Sequence, residues 1–338
     1  MHATTPIFPV QYSTLSALAL KGAIAAGYGL NNISCSFLLR GVSDTYLVRS
    51  NTEQYIFKIY RDSHRSITEI RGEVELLNIL HDQGAKIAYP IRDLNGQQIQ
   101  SFNAPEGIRY GVLFSFARGK SMHDLSDRQL AVTGREMAVI HTISANAFIQ
   151  YERKSYDLNN TIIQPLKKVK PAFADIPEDY DYLLKTAERV IQKLNDFDTA
   201  RFSNGYCHYD YLPKNFHFDE NDNITFFDFD FMGRGYLVND VMSFWLHLAL
   251  HTTFNKITRE EAERQFDIFI KSYQSGKHIS ADEVKAIPYL SFGFWIFYMG
   301  FHYEQFDDFS NSFFNTRFLK ERVALIRKLV DNYCAFDQ

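Results

Sequence analysis

The sequence of 338 residues has few cysteines, little net charge and no basic segment at its N-terminus. Its three cysteines, Cys35, Cys207 and Cys334, are scattered and odd in number, which argues against a disulfide framework and favours free thiols in a reducing, cytoplasmic compartment. A net charge of −4 does not suggest a nucleic-acid-binding protein. The first lysine or arginine is Lys21, so we expect no signal peptide.

The only long apolar run lies near the C-terminus. Residues Ile287 to Phe301 are apolar enough to raise the question of a membrane span, but the run is too short, is interrupted by Pro288 and Gly293, and leads into charged residues. We therefore expect a buried helix of a globular core and no membrane association.

The stretch from Cys207 to Asp240 carries the clearest chemical pattern. It contains His208-x-Asp210, then Asn215, and thirteen residues later Asp228. An amide and a carboxylate that converge near an ionised Asp make an oxygen-only site of the kind that Mg²⁺ prefers. The spacing is typical of the catalytic and metal-binding loops of kinase-type phosphoryl transfer.

The run from Ile224 to Phe231 alternates Phe with Asp, which predicts a buried strand end with Asp228 and Asp230 on one face. Carboxylates among phenylalanines are costly to bury unless a positive charge meets them. The sequence therefore indicates that a cation binds at this strand end.

Two other interpretations of this stretch stay open. Cys207, His208, Asp210 and His217 could form a zinc site, although no second Cys/His group stands nearby at ligand spacing. The His-Asp-Asn-Asp set could also have a purely structural role.

A lysine and a glutamate stand out in the N-terminal third. The strand-like run Gln54 to Tyr60 places Lys58 among apolar residues, where it needs a partner. In the predicted helix from Ser66 to His81, Glu73 falls within the apolar face. This pattern is typical of the strand-Lys and helix-Glu pair that holds ATP phosphates in kinases, and a structural salt bridge or a snorkelling rim residue is the alternative.

The order of elements predicts an α+β fold with a β-rich first part and a mostly helical second part. We expect a nucleotide-binding lobe at residues 1–116 and a catalytic, acceptor-binding helical lobe at residues 117–338. Residues 113–119 would form the hinge whose backbone meets an adenine. Asp240 would begin a helix and cap it, and His141 would be packed and hydrogen-bonded.

Together these residues resemble the aminoglycoside phosphotransferase and choline kinase superfamily, over about residues 28–250. The resemblance implies the bilobal protein-kinase-like fold. The Phe-Asp-Phe-Asp pattern and Tyr156-Asp157-Leu158 look most similar to the homoserine kinase and stress-response kinase branch.

The resemblance also implies roles for individual residues. Asp210 would orient and deprotonate the acceptor hydroxyl, while Asn215 and Asp228 would bind Mg²⁺. Lys58 would hold the α- and β-phosphates of ATP, with Glu73 fixing it. The residues that would face the adenine are Ser115, Phe116 and Ala117.

Three positions depart from the family pattern. Tyr209 stands where the family usually has Gly, and Asp44 where the nucleotide loop often has Asn. Leu212 replaces the lysine that protein kinases have two residues after the catalytic Asp, which argues against a protein substrate.

The sequence thus predicts an ATP- and Mg²⁺-dependent phosphotransferase acting on a hydroxyl of a small molecule. The alternatives are a protein Ser/Thr kinase of the stress-response type and a nucleotide-binding pseudokinase scaffold; the oligomeric state is not indicated. Only twelve residues separate Asp228 from Asp240, which is too few for a long activation loop.

The C-terminal tail suggests a class of acceptor. Trp295, Tyr298 and His302 share one helix face, and Asp307 and Asp308 follow it. Aromatic faces and carboxylates attract ammonium groups, so the tail predicts an amino alcohol or aminoglycoside-like acceptor. The alternative is that this aromatic stripe is simply core.

Overall fold

The computed structural model describes residues 8–61, 63–304 and 313–336. The chain divides into two units, each with its own packed interior. Unit 1 runs to Arg118 and includes Ile149–Glu152, and unit 2 comprises the remaining residues from Gly119 onward. The short return segment joins unit 1 through the N–H of Gln150, which donates to the Glu75 carboxylate at 2.8 Å.

Unit 1 consists of an antiparallel sheet with two helices. The helices are α1 (Ala17–Tyr28) and α2 (Ile67–Asp82). The strands are β1 (Ser34–Arg40), β2 (Ser43–Arg49), β3 (Gln54–Tyr60), β4 (Ile99–Ala104) and β5 (Gly107–Ser115). Their order in the sheet is β1-β2-β3-β5-β4.

Helix α1 begins at a serine and ends at a glycine. The Ser16 side chain accepts the N–H of Ala19, and Gly29 takes a left-handed conformation with φ of 65°. Three residues before this cap, the backbone N–H and the hydroxyl of Ser13 both donate to the Glu106 carboxylate. The core of unit 1 packs α1 against the sheet through residues that include Leu20, Ile24, Tyr46, Val48, Phe57 and Leu113.

Unit 2 is mostly helical in its described part. The helices are α3 (Asp127–Asn146), α4 (Gln164–Val169), α5 (Pro177–Asp196), α6 (Val238–Thr253), α7 (Arg259–Gln274), α8 (Ala281–Glu304) and α9 (Thr316–Tyr333). The strands are β6 (Ser155–Tyr156), β7 (Asn204–Cys207), β8 (Phe216–Phe218), β9 (Ile224–Phe226) and β10 (Gly233–Tyr236). They form a three-stranded sheet, β6-β10-β7, and the hairpin β8-β9.

These elements confirm the predicted α+β fold, with a five-stranded antiparallel sheet preceding a largely helical region. The apolar run near the C-terminus lies within α8, whose buried residues include Ile287, Phe294 and Phe301. None of the helices in the described ranges has the length and apolarity needed to cross a bilayer.

Candidate active site

In unit 1 the structure brings Lys58 and Glu73 together. Lys58 lies in β3, and its Nζ is 3.8 Å from Oε1 of Glu73 in α2. Glu73 is 1% exposed and Lys58 8%, so the pair is largely shielded from water. A capping box of Ser66 and Glu69 fixes the start of α2 one turn before Glu73. The carboxylate therefore holds a positive charge at the sheet, as phosphate binding requires.

Asp44 anchors the turn between β1 and β2. It is fully buried in β2. Its Oδ1 accepts from Nε of Arg40 at 2.9 Å, and its Oδ2 lies 3.4 Å from Nη2 of Arg109 and accepts the Tyr12 hydroxyl. Asp44, which departs from the family pattern, thus belongs to a structural ion-pair network beneath the turn.

The predicted adenine-facing residues lie at the end of unit 1. Ser115 is the last residue of β5, and both its N–H and its hydroxyl oxygen bond to the backbone of Tyr89, at 2.9 and 3.0 Å. Phe116 and Ala117 follow without strand structure, and Ala117 is buried. These bonds fix the position at which the chain leaves the sheet.

In unit 2, Asp210 lies on the loop of residues 208–215, here called the Asp210 loop. Asp210 is 3% exposed. Its Oδ2 accepts from the Asn215 amide at 2.8 Å and lies 2.8 Å from Nζ of Lys214. Its Oδ1 is buried and has no hydrogen-bond partner within the described part of the chain. A buried carboxylate oxygen without a donor is suited to accept a substrate hydroxyl.

The Asn215 amide points its oxygen away from Asp210. Its Nδ2 donates both to the backbone carbonyl and to Oδ2 of Asp210, each at 2.8 Å. Both amide hydrogens are therefore used, and Oδ1 is the atom left to bind a cation. An amide oxygen fixed in this way fits a hard divalent cation such as Mg²⁺.

The strand predicted through Phe231 ends earlier. Strand β9 stops at Phe226, Asp228 takes a left-handed conformation with φ of 62°, and Phe229 to Phe231 form a 3₁₀ turn. The prediction that Asp228 and Asp230 share one strand face is therefore wrong. Asp tolerates left-handed backbone better than most residues, and the reversal leaves Asp228 exposed while Asp230 is 1% exposed. The Asp228 side chain is thus accessible to solvent.

Asp240 holds the Asp210 loop rather than capping its own helix. It lies in the first turn of α6 and is fully buried. Its two carboxylate oxygens accept the backbone N–H groups of His208 at 2.8 Å and Tyr209 at 2.7 Å. His141 lies 3.0 Å from the same carboxylate, and its Nδ1 meets the Tyr273 hydroxyl at 2.8 Å. This confirms that His141 is packed and hydrogen-bonded.

Tyr209 is left-handed and enclosed by aromatic rings. Its φ is 65°, a conformation that favours glycine. Its ring stacks on Tyr156 at 3.5 Å between centroids and meets Phe297 edge to face. The Tyr156 hydroxyl in turn donates to the carbonyl of Phe231. Tyr156 therefore supports both the Asp210 loop and the turn after Asp228.

The side chains considered as zinc ligands have structural partners. His208 uses Nε2 with the carbonyl of Phe227 at 2.9 Å and accepts the N–H of Asp210 on Nδ1 at 3.2 Å. The Cys207 thiol donates to the carbonyl of Tyr236 at 3.2 Å. Within the ranges that the structure describes, no group of three or more His, Cys, Asp or Glu residues could hold a metal ion.

Three residues of this site were not assigned to it from the sequence. Lys214, Asp240 and Tyr156 lie four, thirty and fifty-four positions from Asp210. The four-residue spacing of Lys214 from Asp210 is the only local signal among them. The loop therefore does carry a lysine beside its aspartate, two positions after Leu212.

Comparison with known proteins identifies the family that this chain resembles. Residues 34–283 match the model of the phosphotransferase enzyme family, APH. The chain is 26% identical to the amicoumacin kinase of Bacillus subtilis over 64% of each protein. It is 22% identical to the homoserine kinase of Methylobacillus glycogenes, covering 78% of this chain and 77% of that one.

Solved structures show the same fold. A microcompartment-associated aminopropanol kinase superposes with a TM-score of 0.74 at 17% identity, over 93% of this chain and 98% of that one. An amicoumacin kinase solved in complex with AMP-PNP, Ca²⁺ and Ami gives a TM-score of 0.72 at 21% identity, over 91% of this chain and 93% of that one. With the family model matched across most of its length, this chain belongs to the phosphotransferase enzyme family.

Proposed function

We propose that this phosphotransferase moves the γ-phosphate of ATP, with Mg²⁺, to a hydroxyl of a small molecule. The observation that carries the proposal is the Asp210 loop, in which a buried carboxylate keeps one oxygen without a partner among the described residues while Asn215 and Lys214 hold the other. A related kinase fold has been solved with an ATP analogue, which supports the choice of donor.

Asp210 is the proposed base. The acceptor hydroxyl donates to Oδ1, its oxygen forms a bond to the γ-phosphorus as the proton moves to the carboxylate, and the bond from that phosphorus to the β,γ-bridging oxygen breaks, so that ADP leaves with the electron pair. Lys214 stabilises the negative charge at this point. Asn215 and Asp228 are the proposed ligands of Mg²⁺, which neutralises phosphate charge when bound.

Unit 1 supplies the proposed nucleotide contacts. Lys58 holds the α- and β-phosphates, and Glu73 keeps its side chain in place. The backbone of the segment Ser115 to Ala117 meets the adenine. The described cysteines are free thiols, in keeping with the cytoplasmic location that is part of this proposal.

The alternative of a protein kinase is weaker. The twelve residues that follow Asp228, up to Asp240, are taken up by a 3₁₀ turn, β10 and the start of α6. They leave no length for an activation loop and peptide platform. A pseudokinase scaffold is also weaker, because the lysine, glutamate, aspartates and asparagine that transfer needs are all present.

The acceptor is a small molecule with a hydroxyl group. An amino alcohol or aminoglycoside-like compound is one candidate, and two relatives are named for homoserine and amicoumacin. The carboxylates expected to meet an amine, Asp307 and Asp308, lie outside the described residues.

A screen of alcohols, amino alcohols, hydroxy acids, sugars and aminoglycosides for acceptor-dependent ADP release tests the proposal. We expect at least one class to raise ADP release far above the rate with ATP and Mg²⁺ alone, and chelation of Mg²⁺ to abolish it. If no acceptor raises ADP release while Mg·ATP binds normally, the transferase proposal fails.

A further inference from the structure

Three side chains near the C-terminal end of α8 carry hydrogen-bond donors without acceptors in the described part of the chain. The Tyr298 hydroxyl and the Trp295 indole nitrogen are both buried and unpaired there. The Arg322 guanidinium, from α9, lies 4.3 Å from the Trp295 ring centroid and 5.1 Å from that of Phe318, and forms no ion pair with a described carboxylate. Buried donors are normally satisfied, so a cluster of unsatisfied ones calls for a ligand.

Tyr298 lies close to the reacting groups. Its ring centroid is 5.0 Å from that of Phe231, in the turn after Asp228, and 4.7 Å from that of Phe294. Phe294 packs in turn against Tyr209, the neighbour of Asp210. Burial raises the pKa of Tyr298 well above its ordinary value, and the nearby carboxylates of Asp210 and Asp228 raise it further. The hydroxyl is therefore protonated and able to donate.

Among the described side chains near Trp295 and Tyr298, the charge that no carboxylate balances is positive. His302, one turn after Tyr298, has its pKa lowered to about 4 by burial and by Arg322 and Lys214. It is neutral near pH 7, and the Lys214 charge is balanced by Asp210 at 2.8 Å. Arg322 is thus a half-buried cation that lies over two aromatic rings and forms no ion pair with a described carboxylate, and it also lines a cavity of about 440 Å³.

An ammonium group cannot satisfy the Trp295 indole N–H or the Arg322 guanidinium. An ammonium, an indole N–H and a guanidinium are all donors, and two cations repel each other. A carboxylate offers acceptor lone pairs to the hydroxyl and the indole, and its planar shape matches the guanidinium fork. Because α8 rises about 1.5 Å per residue, Trp295 and Tyr298 lie about one turn apart along the helix. A short aliphatic chain can span a distance of this size.

We infer that Trp295, Tyr298 and Arg322 form a subsite for a carboxylate, so that the acceptor is a hydroxy acid or hydroxylated amino acid whose hydroxyl reaches Asp210. The inference rests on the proposed function, since it names the acceptor class of the same transferase. It runs opposite to the amine-binding tail expected from the sequence.

The test compares matched acceptors. Initial rates of ADP release are measured with ω-hydroxy acids, diols and ω-amino alcohols of four to six carbons, and with homoserine. We expect the hydroxy acids to have the highest kcat/KM at each chain length. Arg322→Gln should lower the ratio of kcat/KM for hydroxy acid over diol about ten- to hundredfold, through the KM of the acid, as loss of a charged hydrogen-bond partner predicts.

Matched variants separate this role from structural damage. Arg317→Gln removes an exposed arginine of the same helix that pairs with Glu321, and should leave the ratio unchanged. Trp295→Phe removes the indole N–H but keeps an aromatic ring at this position. It should lower the ratio of kcat/KM for hydroxy acid over diol several-fold. Its melting temperature should not fall as it would in a variant that leaves a cavity. The double change Asp307→Ala with Asp308→Ala should not reduce use of the hydroxy acids.

The outcomes are distinguishable. The carboxylate subsite is wrong, while the transferase proposal is unaffected, in either of two cases. In the first, diols or amino alcohols are used at least as well as hydroxy acids, and in the second, Arg322→Gln lowers kcat/KM equally for all acceptors. If no alcohol of any class supports ADP release, the transferase proposal fails, and the subsite fails with it.

Discussion

The carboxylate of Asp240 accepts the backbone N–H of Tyr209 at 2.7 Å, and this bond holds a left-handed residue next to Asp210. The second oxygen of the carboxylate accepts the N–H of His208. Asp240 is thirty residues further along the chain and does not itself reach the proposed reaction. Its role is to position the Asp210 loop.

Asp240→Asn should therefore damage both stability and turnover. One oxygen is replaced by an NH₂ group that faces backbone donors, so at least one buried N–H loses its acceptor. We expect the free energy of unfolding to fall by about 2–4 kcal/mol. We also expect kcat to fall by about tenfold or more, because the loop moves relative to the acceptor. Urea titration and steady-state rates check the two effects.

The control for this variant is Asp267→Asn, which changes an exposed carboxylate of α7 that pairs with Lys271. It should alter stability by no more than about 0.5 kcal/mol. An Asp240→Asn protein with parental kcat would show that the loop keeps its position without this carboxylate.

Asp210→Asn should abolish most turnover while leaving nucleotide binding nearly intact. The amide keeps the size of the side chain but cannot take the proton of the acceptor hydroxyl, so kcat should fall by about 10²–10⁴-fold. Calorimetric titration with Mg·ATP should give the parental affinity. Turnover at the parental rate with the best acceptor would remove Asp210 from catalysis.

The Asp228 carboxylate should affect metal-dependent ATP binding rather than folding. Asp228→Asn retains a residue that tolerates left-handed backbone, which Asp228→Ala does not. Both variants should weaken Mg²⁺-dependent ATP binding by about tenfold or more, with only the alanine variant losing stability. Unchanged Mg·ATP affinity together with full activity would place the metal elsewhere.

The sequence was most informative where one element sets the environment of a residue. Lys58 in an apolar strand and Glu73 in the apolar face of a helix each needed a partner, and each meets the other. The spacing from Asp210 to Asn215 lies within one loop, so the contact of their side chains follows from local geometry.

Other features depend on contacts between distant segments. The alternation of Phe and Asp after Ile224 fits a strand and a reversing turn equally well, and the left-handed Asp228 decides for the turn. Asp240 looks like an ordinary helix cap in sequence, because its backbone partners are thirty residues away. Tyr156 and Tyr209 stack only once β6 pairs with β10.

Tyr209→Gly tests which of two opposing effects is larger. Glycine removes left-handed strain of about 1–2 kcal/mol, but it also removes a ring that is 1% exposed and stacked on Tyr156. Loss of a buried aromatic side chain costs about 3–5 kcal/mol, so we expect net destabilisation of about 1–4 kcal/mol. Asn255→Gly, at an exposed left-handed position with φ of 53°, should change stability little. A stabilised Tyr209→Gly protein would show that strain dominates.

Acid sensitivity should depend on a histidine of α6 that lies away from the Asp210 loop. His247 is 8% exposed, and its Nε2 bonds to the carbonyl of His123 at 2.9 Å. Burial, and then the neighbouring His251, lower its pKa to about 4.

Because this pKa lies below the unfolded value of about 6.5, the unfolded chain binds the proton first as the pH falls. The stability that neutral His247 contributes is therefore complete above about pH 6.5 and is lost between about pH 6.5 and 4, by at most about 3 kcal/mol. His247→Gln keeps a donor for the His123 carbonyl but cannot titrate. Urea titrations at half-unit pH steps should show a shallower decline for this variant than for the parent, and parallel declines would mean that His247 is protonated equally in the folded and unfolded states.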